Sequence, residues 1–241
     1  MIVRTFAEKG FECYLVGGSV RDLCMGSGVE DFDFATNARP EEMMKIFRRV
    51  IPTGIKHGTV TLLFGDRQYE VTTYRSDGKY LDGRRPESVS FSKTLEEDVL
   101  RRDFTINGLA YDLENEEVID YVGGLKDLEK RVLRCIGDPN IRFREDPVRM
   151  MRAVKFAARL GFSIDRASLK AILKHHADVL NASVPRVCEE VYRLFTYASS
   201  CPAFKLLWEF QLLQDLLPEV DAFIRRTHGL KSPLWRYLAA L

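Results

Sequence analysis

The sequence predicts an α+β fold, with strands gathered in its first half and helices filling its second. Three observations predict this. Short runs rich in β-branched and aromatic residues, "ECYLV", "DFDFAT", "TVTLLFG" and "QYEVTTYR", all fall before Leu95. Beyond Leu95 the apolar residues recur at helical spacing, as in "EDPVRMMRAVKFAARLGF" and "PAFKLLWEFQLLQDLL". The glycine pair Gly17-Gly18 sits between an apolar run and "SVRDLCMG", the order of strand, tight turn and helix.

Taken in order, "IVRTFAEKGF" has helical periodicity and stops at Gly10. "ECYLV" reads as a buried strand, "SVRDLCMG" as a short helix and "DFDFAT" as the next strand. "ARPEEMMKIFRRV" predicts a helix with Pro40 in its first turn and basic residues in its last. "TVTLLFG" and "QYEVTTYR" around "GDR" predict a hairpin, and the polar, glycine-rich "RSDGKYLDGRRPE" a loop leading to a short strand "SVSF". A single helix is predicted over "TLEEDVLRRDFTINGLAY", a weak strand at "EEVIDYV" and a helix at "GLKDLEKRVL". Further helices follow at "DRASLKAILKHHADVL", "VPRVCEEVYRLF" and "PAFKLLWEFQLLQDLL". The boundary is expected near Gly137-Asp138-Pro139, giving domains 1–137 and 138–241. No internal repeat or low-complexity segment interrupts either part.

The chain has 241 residues, of which 46% are hydrophobic and 29% charged, the profile of a folded globular protein of one or two domains. A net charge of +1 gives no global nucleic-acid footprint, so any such surface must be local. Cys13, Cys24, Cys135, Cys188 and Cys201 are scattered, odd in number and lack a CxxC pair, which predicts reduced thiols and a cytoplasmic protein. No run of 18 apolar residues predicts a membrane span. The C-terminal "SPLWRYLAAL" stops inside an apolar, helix-like run, as if cut from a longer chain.

Asp31 and Asp33 in "VEDFDFATN" lie one residue apart, so in a strand both would point to one face. Paired anions repel and call for a cation; the plainer reading is a solvated strand face or a turn. In "VGGSVRD" the glycines let backbone N–H groups approach an anion, Ser19 adds a hydroxyl and Arg21 a guanidinium. Such a turn is also often only a turn, and the P-loop spacing is absent. Together the two motifs suit metal-dependent nucleotidyl transfer, in which carboxylates hold Mg²⁺ ions about 4 Å apart. Glu70 in "QYEVTTYR", expected on a neighbouring strand, is either a third carboxylate or a surface glutamate.

"LVGGSVRD…EDFDFAT", "EVTTYR", "RRDFTINGLAYD" and "FREDPVRMMRAVKFAARLGF" together resemble the class II tRNA nucleotidyltransferase and bacterial poly(A) polymerase family, continuously from about residue 11 to 165. The resemblance implies a nucleotidyltransferase head, with a small mixed sheet backed by helices, followed by a helical neck. It implies that Asp31 and Asp33 bind the catalytic metals, and that Arg102 and Asp103 contact ribose and phosphates with Asn107 in support. An N-cap role for Asp103 on the predicted helix is compatible with this. It further implies that Asp146 and Arg149 read the incoming base along its pairing edge, in place of a template. Three apart in a helix opened by Pro147, they could equally be an ion pair worth only ~0.5 kcal/mol. Arg152, Lys155 and Arg159 form a basic stripe, suited to phosphates or simply solvated. His57 stands alone and His175-His176 are adjacent, so no histidine ligand set is expected.

Within the family, "PTGIKHGTVTLLF" and the loop containing Arg75, Asp77 and Gly78 resemble enzymes that add CCA, or its terminal A, to tRNA. "SVPRVCEEVYRLF…AFKLLWEFQLL" instead resembles bacterial poly(A) polymerases. The implied reaction is attack of an RNA 3′-hydroxyl on the α-phosphorus of CTP or ATP, by a two-metal mechanism, with release of pyrophosphate. The implied partners are an RNA primer, ATP and CTP, with neither a membrane nor a protein partner. The family's further helical segments grip RNA, and part of that surface is expected to lie outside this chain. A catalytically silent RNA-binding module is the alternative of another class, separated by Mg²⁺-dependent nucleotide binding.

Overall fold

The structure, a computed structural model, describes residues 1–29, 31–76, 90–196 and 199–240. The chain forms two compact units, one from residues within 1–130 and one from 131–241.

In the first unit, α1 (Ile2–Ala7) leads into β1 (Cys13–Val16), α2 (Gly18–Cys24), β2 (Asp33–Thr36), α3 (Pro40–Ile46), β3 (Val50–Gly54), β4 (Thr59–Phe64) and β5 (Arg67–Thr73). The short strands β6 (Arg75–Ser76) and β7 (Ser90–Phe91) precede α4 (Leu95–Leu100), β8 (Leu109–Asp112), β9 (Glu117–Asp120) and α5 (Gly124–Glu129). Seven strands form one mixed sheet in the order β3-β4-β5-β2-β1-β8-β9. Only β2 and β5 run parallel in it; the remaining neighbours are antiparallel. One side of the core gathers Val16, Ala35, Tyr74, Leu95, Val99 and Ala110, all buried. The aromatic rings of Phe6, Phe47, Phe64, Tyr69 and Phe34 meet pairwise, edge on, across α1, α3 and the β2–β5–β4 strands.

Four local expectations are corrected. The helix predicted over "TLEEDVLRRDFTINGLAY" ends at Leu100; a 3₁₀ turn (Thr105–Asn107) follows, and β8 enters the sheet between β1 and β9. Residues 103–110 are buried throughout, so no solvent face marks their period, and sequence pattern alone does not separate buried strand from buried helix. The helix after Arg39 stops at Ile46 and Val50 opens an unforeseen strand, β3. The helix at "GLKDLEKRVL" ends at Glu129, where Arg131 takes a left-handed φ of 54°. The strand of "DFDFAT" begins at Asp33, so Asp31 precedes it and the two do not share a strand face by alternation. The expected hairpin is present as β4–β5, and "SVSF" as β7 paired with β6. Asp77, Gly78 and the rest of their loop through residue 89, like Glu30, lie outside the described residues.

The second unit holds β10 (Val132–Leu133), α6 (Pro139–Glu145), α7 (Val148–Leu160), β11 (Ser163–Ile164), α8 (Arg166–His175), α9 (Val184–Arg193), α10 (Ser200–Glu209), α11 (Leu212–Leu216), α12 (Pro218–Arg226) and α13 (Leu234–Ala239). Among the described residues it is helical apart from the parallel β10–β11 pair. The long helix α7 is its spine: Met150, Met151, Ala153 and Val154 are fully buried, and α9 and α10 pack along it. Among the described residues no helix is long and apolar enough to cross a membrane.

Candidate active site

Sheet register builds the centre of the site. The parallel β2–β5 pairing sets Asp33 directly opposite Glu70, so the expected neighbouring strand is indeed adjacent and delivers its carboxylate beside the aspartate. Asp31, Asp33 and Glu70 are all exposed, and no hydrogen bond or ion pair engages any of these carboxylates among the described residues. Partial desolvation, followed by the charges of Glu70 and Asp31, pushes the Asp33 carboxyl up, against a downward pull from Arg102. Their repulsion is therefore only partly compensated by the protein.

The glycine turn faces a cation. Gly17 has φ 75° and ψ −132°, a conformation that L side chains rarely adopt, and its N–H donates to the Leu109 carbonyl at 3.0 Å. A Cβ there would lie 3.0 Å from Arg102 Nη1, so glycine is what lets the guanidinium come this close. Gly18 is the first residue of α2. Arg102 is held from behind: its Nη2 and Nε donate to Asp98 Oδ2 at 2.9 and 3.2 Å, while Arg101 takes Oδ1. Asp98 is 1% exposed; burial pushes its carboxyl up, but Arg102 and Arg101 more than reverse this and hold it below the ordinary value.

The Ser19 and Arg21 side chains, expected at phosphates, are engaged within the protein. The Ser19 hydroxyl donates to the Asp31 carbonyl at 3.0 Å and accepts the Asp33 N–H at 3.2 Å. Arg21 is 2% exposed; it donates twice to Asp22 (2.8 and 2.9 Å) and once to Asn107 Oδ1 (2.7 Å). Asn107 in turn donates to Asp103 Oδ1 at 3.1 Å, which also accepts the Phe104 N–H. Half-buried Asp22 and the buried Arg21, Asn107 and Asp103 thus form a chain fastening α2 to the 103–107 turn. The expected N-cap role does not hold: the 3₁₀ turn is capped by Phe104, and Asp103 precedes it. The turn is also held from α5: Thr105 Oγ1 donates to the buried Asp127, and a Cβ on Gly124 would meet the Thr105 carbonyl at 2.3 Å.

In the second unit, the Arg149 N–H donates to the Asp146 carbonyl at 3.0 Å, but their side chains turn to other partners. Asp146 is the C-cap of α6, outside any helix, because Pro147 starts a new one. Both of its oxygens accept from Arg186, at 2.9 and 2.7 Å. Arg149, 7% exposed, donates to the Arg142 carbonyl at 3.1 Å and faces Glu145 at 3.4 Å. The expected basic stripe is broken too. Lys155 is 7% exposed and pairs with Glu190 at 2.6 Å, and Arg152 approaches the same glutamate at 3.6 Å. His175 and His176 are engaged in the fold, His175 by Asp178 and Asn140 and His176 by Asp215.

Sequence reasoning missed Asp98, Asp127, Arg186 and Glu190. Only Asp98 carried a local signal, three and four residues before Arg101 and Arg102 in a helix. The others act across gaps of tens of residues.

With this geometry in place, comparison with known proteins decides the family. Residues 13–134 match the family model described as the poly(A) polymerase head domain, and residues 161–224 one described as a probable RNA and SrmB-binding site of polymerase A. This chain belongs to the poly(A) polymerase head-domain family. Among the relatives of this family member, the CCA-adding enzyme of Lactobacillus helveticus is 44% identical over the whole chain and 62% of its own length. A crystal structure of the Bacillus stearothermophilus CCA-adding enzyme with CTP matches at TM-score 0.86 and 38% identity, over 99% of this chain and 57% of that one. A tRNA nucleotidyltransferase crystallised with a primer tRNA and an incoming ATP analogue matches at TM-score 0.75 and 30% identity, over 93% and 66%. The chain thus spans about 62% of that curated relative.

Among the described residues no group of three or more His, Cys, Asp and Glu forms a metal cage. The Asp31–Asp33–Glu70 set nonetheless fits Mg²⁺. Its donors are hard oxygens, exposed and mutually repelling, and Mg²⁺ needs only one or two carboxylates when phosphates and water complete its shell.

Proposed function

We propose that this chain is the catalytic portion of a template-independent tRNA nucleotidyltransferase, adding C and A to the tRNA 3′ end from CTP and ATP. The observation that carries the reading is the Asp33–Glu70 register, with Asp31 beside it and Arg102 brought close by Gly17. The names of the relatives support the choice of nucleotides and primer.

In this reading the head, residues 1–137, transfers the nucleotidyl group, and the helical part, 138–241, serves base choice and RNA contact. The 3′-oxygen of the primer forms a bond to the α-phosphorus, and the bond from that phosphorus to the pyrophosphate oxygen breaks. Asp31 and Asp33, with Glu70 adjacent, would hold Mg²⁺. When bound, the ion supplies Lewis-acid polarisation of the phosphate and acidifies the attacking hydroxyl. Arg102, oriented by Asp98, offers a guanidinium to phosphate oxygens, and the Gly17-Gly18 turn lets the chain approach them closely. The Asp103–Asn107–Arg21 chain fixes the 103–107 turn, presenting Asp103 toward a ribose hydroxyl. Arg21 thereby positions rather than contacts. Asp146 supplies acceptors and Arg149 donors for the pairing edge of the base, with Arg186 holding Asp146 in orientation. Arg152, next to Glu190, offers a cation for a phosphate.

Incorporation of labelled CTP and ATP, separately and together with Mg²⁺, tests this on three RNAs. One ends before CCA, one ends in CC and one is unstructured. Addition of C, C and A followed by a stop is the expected result. A single A, only on the CC-ended tRNA, would restrict the activity to the terminal step. A long ladder from ATP alone on any RNA would overturn the tRNA reading in favour of poly(A) synthesis, and no incorporation with no Mg²⁺-dependent nucleotide binding would leave a silent RNA-binding module.

A further inference from the structure

We propose that Ser19 is a positioning residue for the Asp31–Asp33 pair, and makes no contact with the nucleotide phosphates. The inference rests on the reading of those aspartates as the cation-holding pair. A serine hydroxyl has a single proton to donate, and here it is spent on the Asp31 carbonyl while a lone pair takes the Asp33 N–H. The residue is 4% exposed, on α2 beneath the aspartates rather than in the open site.

The need for such a tie follows from the topology. The β1–β2 register ends with Leu15 opposite Phe34, one residue short of Asp33. Asp31 and Phe32 belong to no strand or helix. Without Ser19, Asp33 would still be held by its pairing with β5, but Asp31, outside any strand, would lose its backbone tie to it. One hydroxyl bridges the carbonyl of Asp31 and the amide of Asp33, and so fixes both peptide planes around Phe32. The Phe32 ring adds a second contact on the same segment, 6.4 Å from that of Tyr69. Both carboxylates are left for a ligand while their backbone is held.

The test uses the full 241-residue chain. Mn²⁺ alone is titrated by calorimetry, CTP binding is measured in EDTA, and amide exchange is followed at Asp33. Ser19→Ala is expected to weaken Mn²⁺ binding about tenfold, as loss of supporting partners around a metal site does. It should speed exchange of the Asp33 amide and leave CTP binding in EDTA within about twofold, the reverse of what loss of a charge-assisted phosphate contact would do. Ser19→Thr, which keeps the hydroxyl, should restore Mn²⁺ affinity. Ser19→Cys, similar in volume but a weaker hydrogen-bonding group, should fall between and stands in if the alanine variant does not fold. Weakened CTP binding with unchanged Mn²⁺ binding would overturn the assignment, as would no change in either. A wild-type chain that binds no Mn²⁺ would instead overturn the reading of the aspartates themselves.

Discussion

Asp33 stands directly across from Glu70 on the one parallel strand pair of the seven-stranded sheet, and the charge of Glu70 helps raise the Asp33 carboxyl above its ordinary value. Two acids placed at matched register, with little cationic relief, are an arrangement that folding alone would not favour. A raised acid holds its proton in the native state after the unfolded chain has released it. Between its ordinary and raised values, stability therefore falls as pH rises, and at neutral pH the ionised group destabilises.

Asp33→Asn is accordingly expected to melt at a higher temperature than wild type at neutral pH, while losing incorporation by about a thousandfold, the several kcal/mol of charge stabilisation a metal site supplies. Calorimetry and the incorporation assay check the two halves. Near-normal incorporation would remove Asp33 from the metal site.

Asp98 makes the opposite prediction. Its carboxyl, fully buried between Arg101 and Arg102, is held below the ordinary value, so its contribution is present above that value and disappears as pH falls through the lowered one. Asp98→Asn should lower stability at neutral pH by roughly 3–5 kcal/mol, the range for breaking a buried pair. Urea unfolding of the two proteins should converge as the pH is brought down into the acid range. A gap that stays constant with pH would show that packing, and not charge, is what Asp98 supplies.

In the helical unit, Glu190 is the sole counter-charge within 4.0 Å of the buried Lys155 among the described residues, and the lysine's own value is lowered by burial and by Arg152. Glu190→Ala should cost roughly 3–5 kcal/mol by stranding that lysine, whereas the double variant Lys155→Met, Glu190→Leu should recover most of the loss. Thermal unfolding of the single and double variants decides this; a double variant as unstable as the single would mean that the pair is not the source.

Arg186 is bonded to both oxygens of Asp146 and is 31% exposed at its side chain. Its exposure keeps the expected stability loss of Arg186→Ala to about 1 kcal/mol. Preference between CTP and ATP should drop about tenfold, the effect of roughly 1.4 kcal/mol of lost orientation. Competition between the two nucleotides on one primer measures it, and an unchanged preference would separate Asp146 from base choice. Arg149→Ala should lower base preference similarly but fold less well, since Arg149 is buried against Arg142 and Glu145.

The sequence by itself determined the α+β order, the glycine turn, the paired aspartates, the hairpin and the long helix after Pro147. Each is written in short-range signals: alternation, helical period, and glycine or proline at a fixed offset. It also supplied the family, because several motifs recur in order. Tertiary structure alone decided what each polar side chain does. Residues 103–110 are buried on every side, so nothing in their pattern could separate the observed turn and strand from a helix. Ser19 and Arg21 read as phosphate ligands because hydroxyl and guanidinium suit anions; that they also reach Asp31, Asp22 and Asn107 is something only the fold shows. Asp146 and Arg149 read as a pair because they are three apart, but Pro147 breaks the helix between them, and Arg186, forty residues on, takes the carboxylate. Partner choice in a folded chain is set by which groups burial brings together without water, and separation along the chain carries almost no information about that.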